Sequence, residues 1–207
     1  APLSFPANYI YKKYSPHKMI VNGEDQKDCF IKNLYWPKKL ITVKPSVRFF
    51  KAKNNNMSNK IFLPLAIRNH KYLLNGFNDL IKLHKYNLRN FIIQKHPHSI
   101  NSINIINFEK KLKKLISSNK KIKNNKNQKN LSIFIGSSGA IIEALERGLN
   151  VFQVCESPVI ETYSNKLLKN ILIQKLNNNV FSYKLKNKGK IVKLGKFNDH
   201  QNYITNI

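Results

Sequence analysis

Acidic residues are scarce in this chain. Its 207 residues hold 10 Asp and Glu against 37 Lys and Arg, a formal charge of +27. The partners such a balance favours are anionic: nucleic acid, anionic lipid surfaces or phosphorylated substrates. The excess is nearly all Lys, in company with abundant Asn and Ile and few Gly. Part of it therefore reflects a compositional bias, and the charge speaks to partners and solubility rather than to fold. Cysteine is scarce too: Cys29 and Cys155 stand alone, without a CxxC or a nearby His cluster. That excludes a disulfide framework and a zinc site, and leaves two small hydrophobes expected to be buried. No apolar run approaches the roughly eighteen residues of a membrane-spanning helix. The opening APLSFPANYIYKKY lacks the charged-then-apolar profile of a secretion signal, so the chain reads as soluble and cytoplasmic. It also lacks a recognisable DNA or RNA motif and an aromatic–basic stripe for stacking bases.

The length suits one good-sized core with appendages. The start, without Met and with early prolines, suggests the back part of a longer protein, with residues 1–17 as a linker from a preceding domain. Apolar runs then recur at Lys18–Val21, Leu40–Val43, Ile61–Leu65, Phe91–Lys95, Leu131–Ile135 and Val151–Val154. Helical patterns separate them: Leu73, Phe77, Leu80, Ile81 and His84 share one face, and Phe108, Leu112, Leu115 and Ile116 another. The Lys/Asn tract SSNKKIKNNKNQKN has too few apolar groups to pack and reads as a solvated loop. The alternation predicts an α/β fold, a Rossmann-like, doubly wound, mainly parallel six-stranded sheet over residues 18–175, whose ligands bind outside the carboxyl ends of the strands. Beyond Val154 the pattern weakens, and Val159–Leu172 reads as one or two helices. Residues 176–207 read as a tail in which VFSYKL and KIVKLG form a hairpin around Asn187–Gly189.

The stretch LSIFIGSSGAIIEALERGLNVFQV, Leu131–Val154, carries the strongest chemical signal, because it spells strand, turn, helix, strand. It sets Gly136, Ser137, Ser138 and Gly139 at a helix N-terminus, where free N–H groups and two hydroxyls suit a phosphate. A Ser-capped helix after a core strand is the competing reading. Directly after another strand comes His96-Pro97-His98, on the same predicted rim; an imidazole there can neutralise or protonate a departing phosphate. The alternative is a loop His bonded to a carbonyl. Glu143, about one helical turn after the Ser pair, suits a ribose hydroxyl pair or an i, i+4 ion pair with Arg147. Asn22 and Gly23 follow the first strand, beside Glu24 and Asp25, which read better as helix N-terminal charges. Ser46 and Arg48 follow the second and offer further anion contacts. ESPVIETY, Glu156–Tyr163, either touches a ligand or starts another helix.

His96-Pro97 and Ser137-Ser138 together resemble the HP and SS motifs of bacterial sialyl-, polysialyl- and Kdo-type transferases. IFIGSSGAIIEALERGLNVFQV looks like the strand-turn-helix-strand of GT-B donor domains generally. The resemblance covers roughly Lys18–Val154 and implies the C-terminal donor-binding half of a GT-B glycosyltransferase. It implies a nucleotide-activated sugar, CMP-linked by preference, with its phosphate on His96, Pro97, Gly136, Ser137, Ser138 and Gly139 and its ribose near Glu143. It also implies catalysis without a metal or other cofactor, a glycan or lipid-linked acceptor, and work at the inner face of an anionic membrane. The family's acidic D/E-D/E-G motif has no clean match, since VNGED carries its Gly before the acids, so no general base is assigned. A UDP-sugar enzyme, a teichoic-acid-type polyol-phosphate transferase, and a non-catalytic basic module for nucleic acid or lipid are the alternatives.

Overall fold

The computed structural model describes residues 16–50, 56–84, 87–119 and 130–196. In chain order the elements are β1 (Met19–Val21), α1 (Glu24–Leu34), β2 (Ile41–Val43), β3 (Ser46–Phe50), β4 (Lys60–Phe62), α2 (His70–His84), β5 (Ile92–Gln94) and α3 (Ile103–Ser118). There follow β6 (Leu131–Ile135), α4 (Ala140–Glu146), β7 (Asn150–Val154), α5 (Pro158–Glu161), β8 (Ile171–Lys175), β9 (Val180–Leu185) and β10 (Leu194–Gly195). The fold is mixed α/β. No helix among the described residues is long and apolar enough to cross a membrane. The Lys/Asn tract of 120–129 and the proposed linker before residue 16 lie outside the described residues.

Two compact units emerge, one within Ala1–Asn56, Ser164–Leu172 and Leu185–Ile207, the other within Met57–Tyr163 and Ile173–Lys184. The expected 18–175 span falls across both. In the first unit β1 and β2 pair in parallel with α1 between them in sequence, and β3 pairs with β10. Helix α1 opens on Glu24 and Asp25, as its sequence predicts, and buries Cys29 and Phe30. It stops because Tyr35 turns into the left-handed region at φ 55°, so that the Trp36 N–H reaches back to the Phe30 carbonyl at 3.0 Å. That return sets the Trp36 ring edge-on to Phe30, 5.9 Å between centroids, over Val21 and Ile41.

The second unit is built on a six-stranded sheet in the order β5-β4-β6-β7-β9-β8. The first four strands are parallel and β9 runs antiparallel to β7. All five residues of β6 are buried, as a central strand of such a sheet requires. Alternate residues Ile61, Leu131, Ile133, Ile135, Phe152 and Val154 form one core with Leu73, Phe77, Leu80 and Ile81 of α2 and with Phe108 and Leu112 of α3. The predicted helical faces are therefore the ones packed on the sheet, with Leu115 and Ile116 partly buried; the side chain of His84 lies outside what the structure describes. Gly76 fits inside this face because the Asn179 side chain occupies the space a Cβ would need.

Three expectations need correction. The mainly parallel six-stranded sheet is present, but its membership differs: the first two predicted strands pair with each other in the other unit. VFSYKL does not form a hairpin with KIVKLG; it is β9, zipped onto β7, and the later segment supplies only β10. Between Val159 and Leu172 there is a single turn of helix, α5, before β8 begins. Alternation of apolar residues specifies strands but not their partners, which explains the first two misses.

Gly23 shows why this region tolerates little change. A Cβ built there would lie 1.8 Å from the Ile191 carbonyl oxygen, a backbone atom. Gly23→Ala is expected to destabilise the protein by about 2 kcal/mol or more through overpacking, measured as a fall in the urea midpoint at unchanged slope.

Candidate functional site

Strand β4 is flanked by β5, the next in sequence, on one side and by β6 on the other. In open parallel sheets such a reversal opens a crevice at the strands' carboxyl ends. Residues Phe62, Gln94 and Phe134 are in register across these strands. Pro64, His96 and Gly136 follow closely after these three strands, a row of chain exits in which the HP and SS motifs lie on either side of Pro64.

Contacts fix the row. Gly136 is left-handed at φ +69°, and a Cβ on it would meet Pro64 Cβ at 3.3 Å. Its N–H donates to the Val154 carbonyl at 2.7 Å, and its carbonyl accepts from Gln153 Nε2 at 2.9 Å. Both backbone groups of Gly136 are thus spent on structure. The Ser99 hydroxyl sits between the carbonyls of His96 (3.1 Å) and Pro64 (3.4 Å), which ties the HP turn to β4.

His96 Nδ1 accepts the His98 N–H at 3.2 Å. A ring nitrogen that accepts carries no proton, so in the neutral ring the Nε2 becomes the donor. His96 is half-buried, while Pro97 and His98 are exposed. On the other side of Pro64, Ser137 is exposed and Ser138 half-buried. The Ser138 Oγ accepts the Ala140 N–H at 3.2 Å, leaving its hydroxyl proton to be donated outward. The N–H groups of Ser137, Ser138 and Gly139 hydrogen-bond to none of the described residues, whereas Ala140 and Ile141 are satisfied by Ser138. Helix α4 is only seven residues long, with Gly139 as an N-cap that makes no side-chain cap bond. Any anion here would be held by turn amides and hydroxyls more than by a helix dipole.

Glu143 takes the ion-pair alternative: Arg147 donates to its Oε1 through Nε at 3.0 Å and through a terminal nitrogen at 2.7 Å. Gly148, at φ 86°, then ends the helix. Asn22, Gly23, Ser46 and Arg48 belong to the other unit. There the Asn22 amide donates to the carbonyls of Lys44 and Pro45, Gly23 packs on Ile191, and buried Ser46 accepts the N–H groups of Arg48 and Phe49. The Arg48 guanidinium lies 5.3 Å from the Phe49 ring centre. Asn22, Gly23 and Ser46 thus fasten their own unit through these contacts. Cys29 and Cys155 are free and buried, as expected.

Sequence reasoning missed the residues behind the rim. Gln153, fully buried in β7, holds Gly136 and accepts the Tyr183 hydroxyl at 2.8 Å. Tyr163 donates to the Ser138 carbonyl, and burial pushes its phenol up to about 12. Glu156 accepts the N–H groups of Arg68 and Asn69, joining the loop after β7 to the loop after β4. A polar residue inside an apolar strand, as in VFQV, was the available signal for Gln153.

A cavity of about 560 Å³ lies at the opposite end of the sheet, lined by Leu88, Arg89, Phe91, Ile93, Lys113, Ile116 and Ser117. Its walls are largely apolar, and Lys113 is already paired with Glu109 at 2.6 Å. The motifs do not reach it. No family model, curated protein or solved structure matches this chain.

Glu161 supplies a test of the rim's wiring. Burial raises its carboxyl above the ordinary range, against the N–H groups of Glu156 and Ser157, which favour the charged form. A raised folded value means that the folded state holds the proton longer than the unfolded chain. Stability from this group is therefore present at acid pH and lost as pH climbs from the ordinary carboxylate value through the raised one. Urea midpoints followed from acid to neutral pH should show this falling limb in the wild type, and Glu161→Gln should lack it.

Proposed function

We propose that this chain is the nucleotide-sugar donor domain of a GT-B glycosyltransferase of surface-carbohydrate type, with a CMP-sugar favoured. The observation that carries the reading is the placement of His96, Pro64 and Gly136 at the exits of adjacent strands, with amides at Ser137–Gly139 that hydrogen-bond to none of the described residues. An imidazole Nε2–H, turn amides and serine hydroxyls all donate, and phosphate oxygens all accept. The finer description of the fold as Rossmann-like and doubly wound, the carboxyl-terminal half of a GT-B enzyme, belongs to this proposal, as does a cytoplasmic location.

In this reading His96 and the Ser137-Ser138 turn take up the charge that develops on the departing phosphate as the anomeric carbon is attacked, with no metal required. Pro97 fixes the backbone that presents His96, and Gly136 permits the turn that presents the serines. Glu143 reaches a ribose only by sharing its carboxylate with Arg147. The general base is assigned to no residue of this chain. A UDP-sugar or a polyol-phosphate donor would meet the same donors, and nucleotide identity separates these enzymes.

Thermal stability measured with CMP, UDP, CDP and GDP is expected to rise with CMP above the others. His96→Ala should weaken that binding about tenfold or more, the loss of one charge-assisted hydrogen bond. Stabilisation by UDP or CDP instead would transfer the site to the alternative donor. If no nucleotide stabilises the chain, or if His96→Ala binds as well as the wild type, the donor-site reading fails.

A further inference from the structure

Strand β5 ends the six-stranded sheet, so one of its edges meets no neighbouring strand among the described residues. The inner edge is used: the Ile92 N–H donates to the Asn59 carbonyl at 3.0 Å, and the Gln94 carbonyl accepts the Leu63 N–H at 2.9 Å. Backbone groups alternate along a strand, so the N–H and carbonyl of Ile93 face outward, where they hydrogen-bond to none of the described residues. Three residues long and soon followed by Pro97, this edge suits one short extended segment better than a second sheet.

The cavity of about 560 Å³ adjoins that edge. Ile93 itself lines it, with Leu88 and Phe91 from the approach to β5 and Ile116 from α3. Leu88 and Phe91 are buried, and Ile93 and Ile116 are partly so. A strand added to β5 would lie about 4.8 Å from it and turn alternate side chains toward the face that carries the cavity. A large apolar side chain is what such walls accept.

Charge here is nearly all of one sign. Glu109 is the sole carboxylate of residues 87–119, against Arg89, Lys95, Lys110, Lys111, Lys113 and Lys114, and it is held between Lys95 and Lys113. Arg89, at the cavity wall, is exposed; its backbone N–H donates to Asn87, and its guanidinium makes no bond to the described residues. The same excess opposes the pairing of β5 with β5 of a second copy. A free carboxylate would answer Arg89 alone, whereas an acidic peptide also answers the Ile93 N–H and carbonyl.

We infer that the outer edge of β5 is a docking site for an extended acidic segment of a partner protein, which adds to the sheet at Ile93, seats one large apolar side chain in the cavity and sets a carboxylate on Arg89. Nothing in this requires His96 or the Ser137-Ser138 turn, so it stands or falls apart from the donor assignment.

Fluorescence anisotropy of labelled ETVXTE peptides, X being Phe, Leu or Ala, with the full chain tests it. The Phe or Leu peptide should saturate below about 1 mM and bind at least tenfold more tightly than the Ala peptide. Arg89→Gln alters only an exposed side chain and should weaken that binding at least threefold. In the complex the Ile93 amide should exchange its hydrogen more slowly than in the free chain. No saturation, equal affinity for the Ala peptide, unchanged binding by Arg89→Gln, or unaltered exchange at Ile93 would each overturn the proposal. So would a dimer whose formation itself slows exchange at Ile93, since the edge would then belong to a second copy.

Discussion

The left-handed turn at Gly136 is the constraint on which the rim depends. Strand β6 is buried along its whole length, and the chain must leave it beside Pro64 without room for a side chain. Gly meets both demands, since it adopts positive φ without strain and brings no Cβ against the proline. Once the turn is made, Gln153 anchors it from the neighbouring strand, and Tyr183 anchors Gln153 in turn. A buried amide with both ends satisfied is rigid, because loosening it would strand polar groups away from water. That rigidity orders the Ser137-Ser138 turn without using the amides that follow.

The same economy appears on the other side of Pro64. A single hydroxyl, Ser99, spans the His96 and Pro64 carbonyls, and the His98 N–H fixes the imidazole from within its own loop. Structure is satisfied by carbonyls and ring Nδ1, whereas the donors, Nε2–H and the turn amides, are left over. Spare donors of this kind are what a bound phosphate would meet under the proposed function.

The sequence made the core legible where periodicity was strong. Leu73, Phe77, Leu80 and Ile81 are buried as their spacing requires, and Leu131–Ile135 and Val151–Val154 are central strands. Partnership was not legible. VFSYKL reads equally well as half of a hairpin and as a strand for β7, because alternation fixes which face is apolar and says nothing of which edge is open. The strand-end rule marks Asn22, Gly23 and Ser46 by position, and position does not reveal that residues 190–193 and 44–49 of the same chain engage them. For His96 and Ser137 the strand-end position itself was legible: they follow β5 and β6 as the apolar runs before them predict. Gln153, Tyr163 and Glu156 work through partners distant in sequence, so the local pattern of VFQV and ESPVIETY shows polar residues out of place without showing what they hold.

The acids carry the last step of the synthesis. Apart from Asp199, outside the described residues, each has a partner. Glu24 faces Lys193, Asp25 holds Asn170, Asp28 faces Lys32 and Lys169, and Asp79 accepts from Asn177. Glu109 lies between Lys95 and Lys113, Glu143 holds Arg147, and buried Glu146 is likewise engaged. Glu156 and Glu161 accept backbone N–H groups. In a chain so poor in carboxylates they serve as fasteners, and lysine remains in large excess over them. A general base must be free to take a proton, and Glu161, the one rim carboxylate raised by burial, already accepts two amide hydrogens. The carboxylates of the described residues are thus committed to structure, and the groups left free at the rim are chiefly N–H and O–H donors.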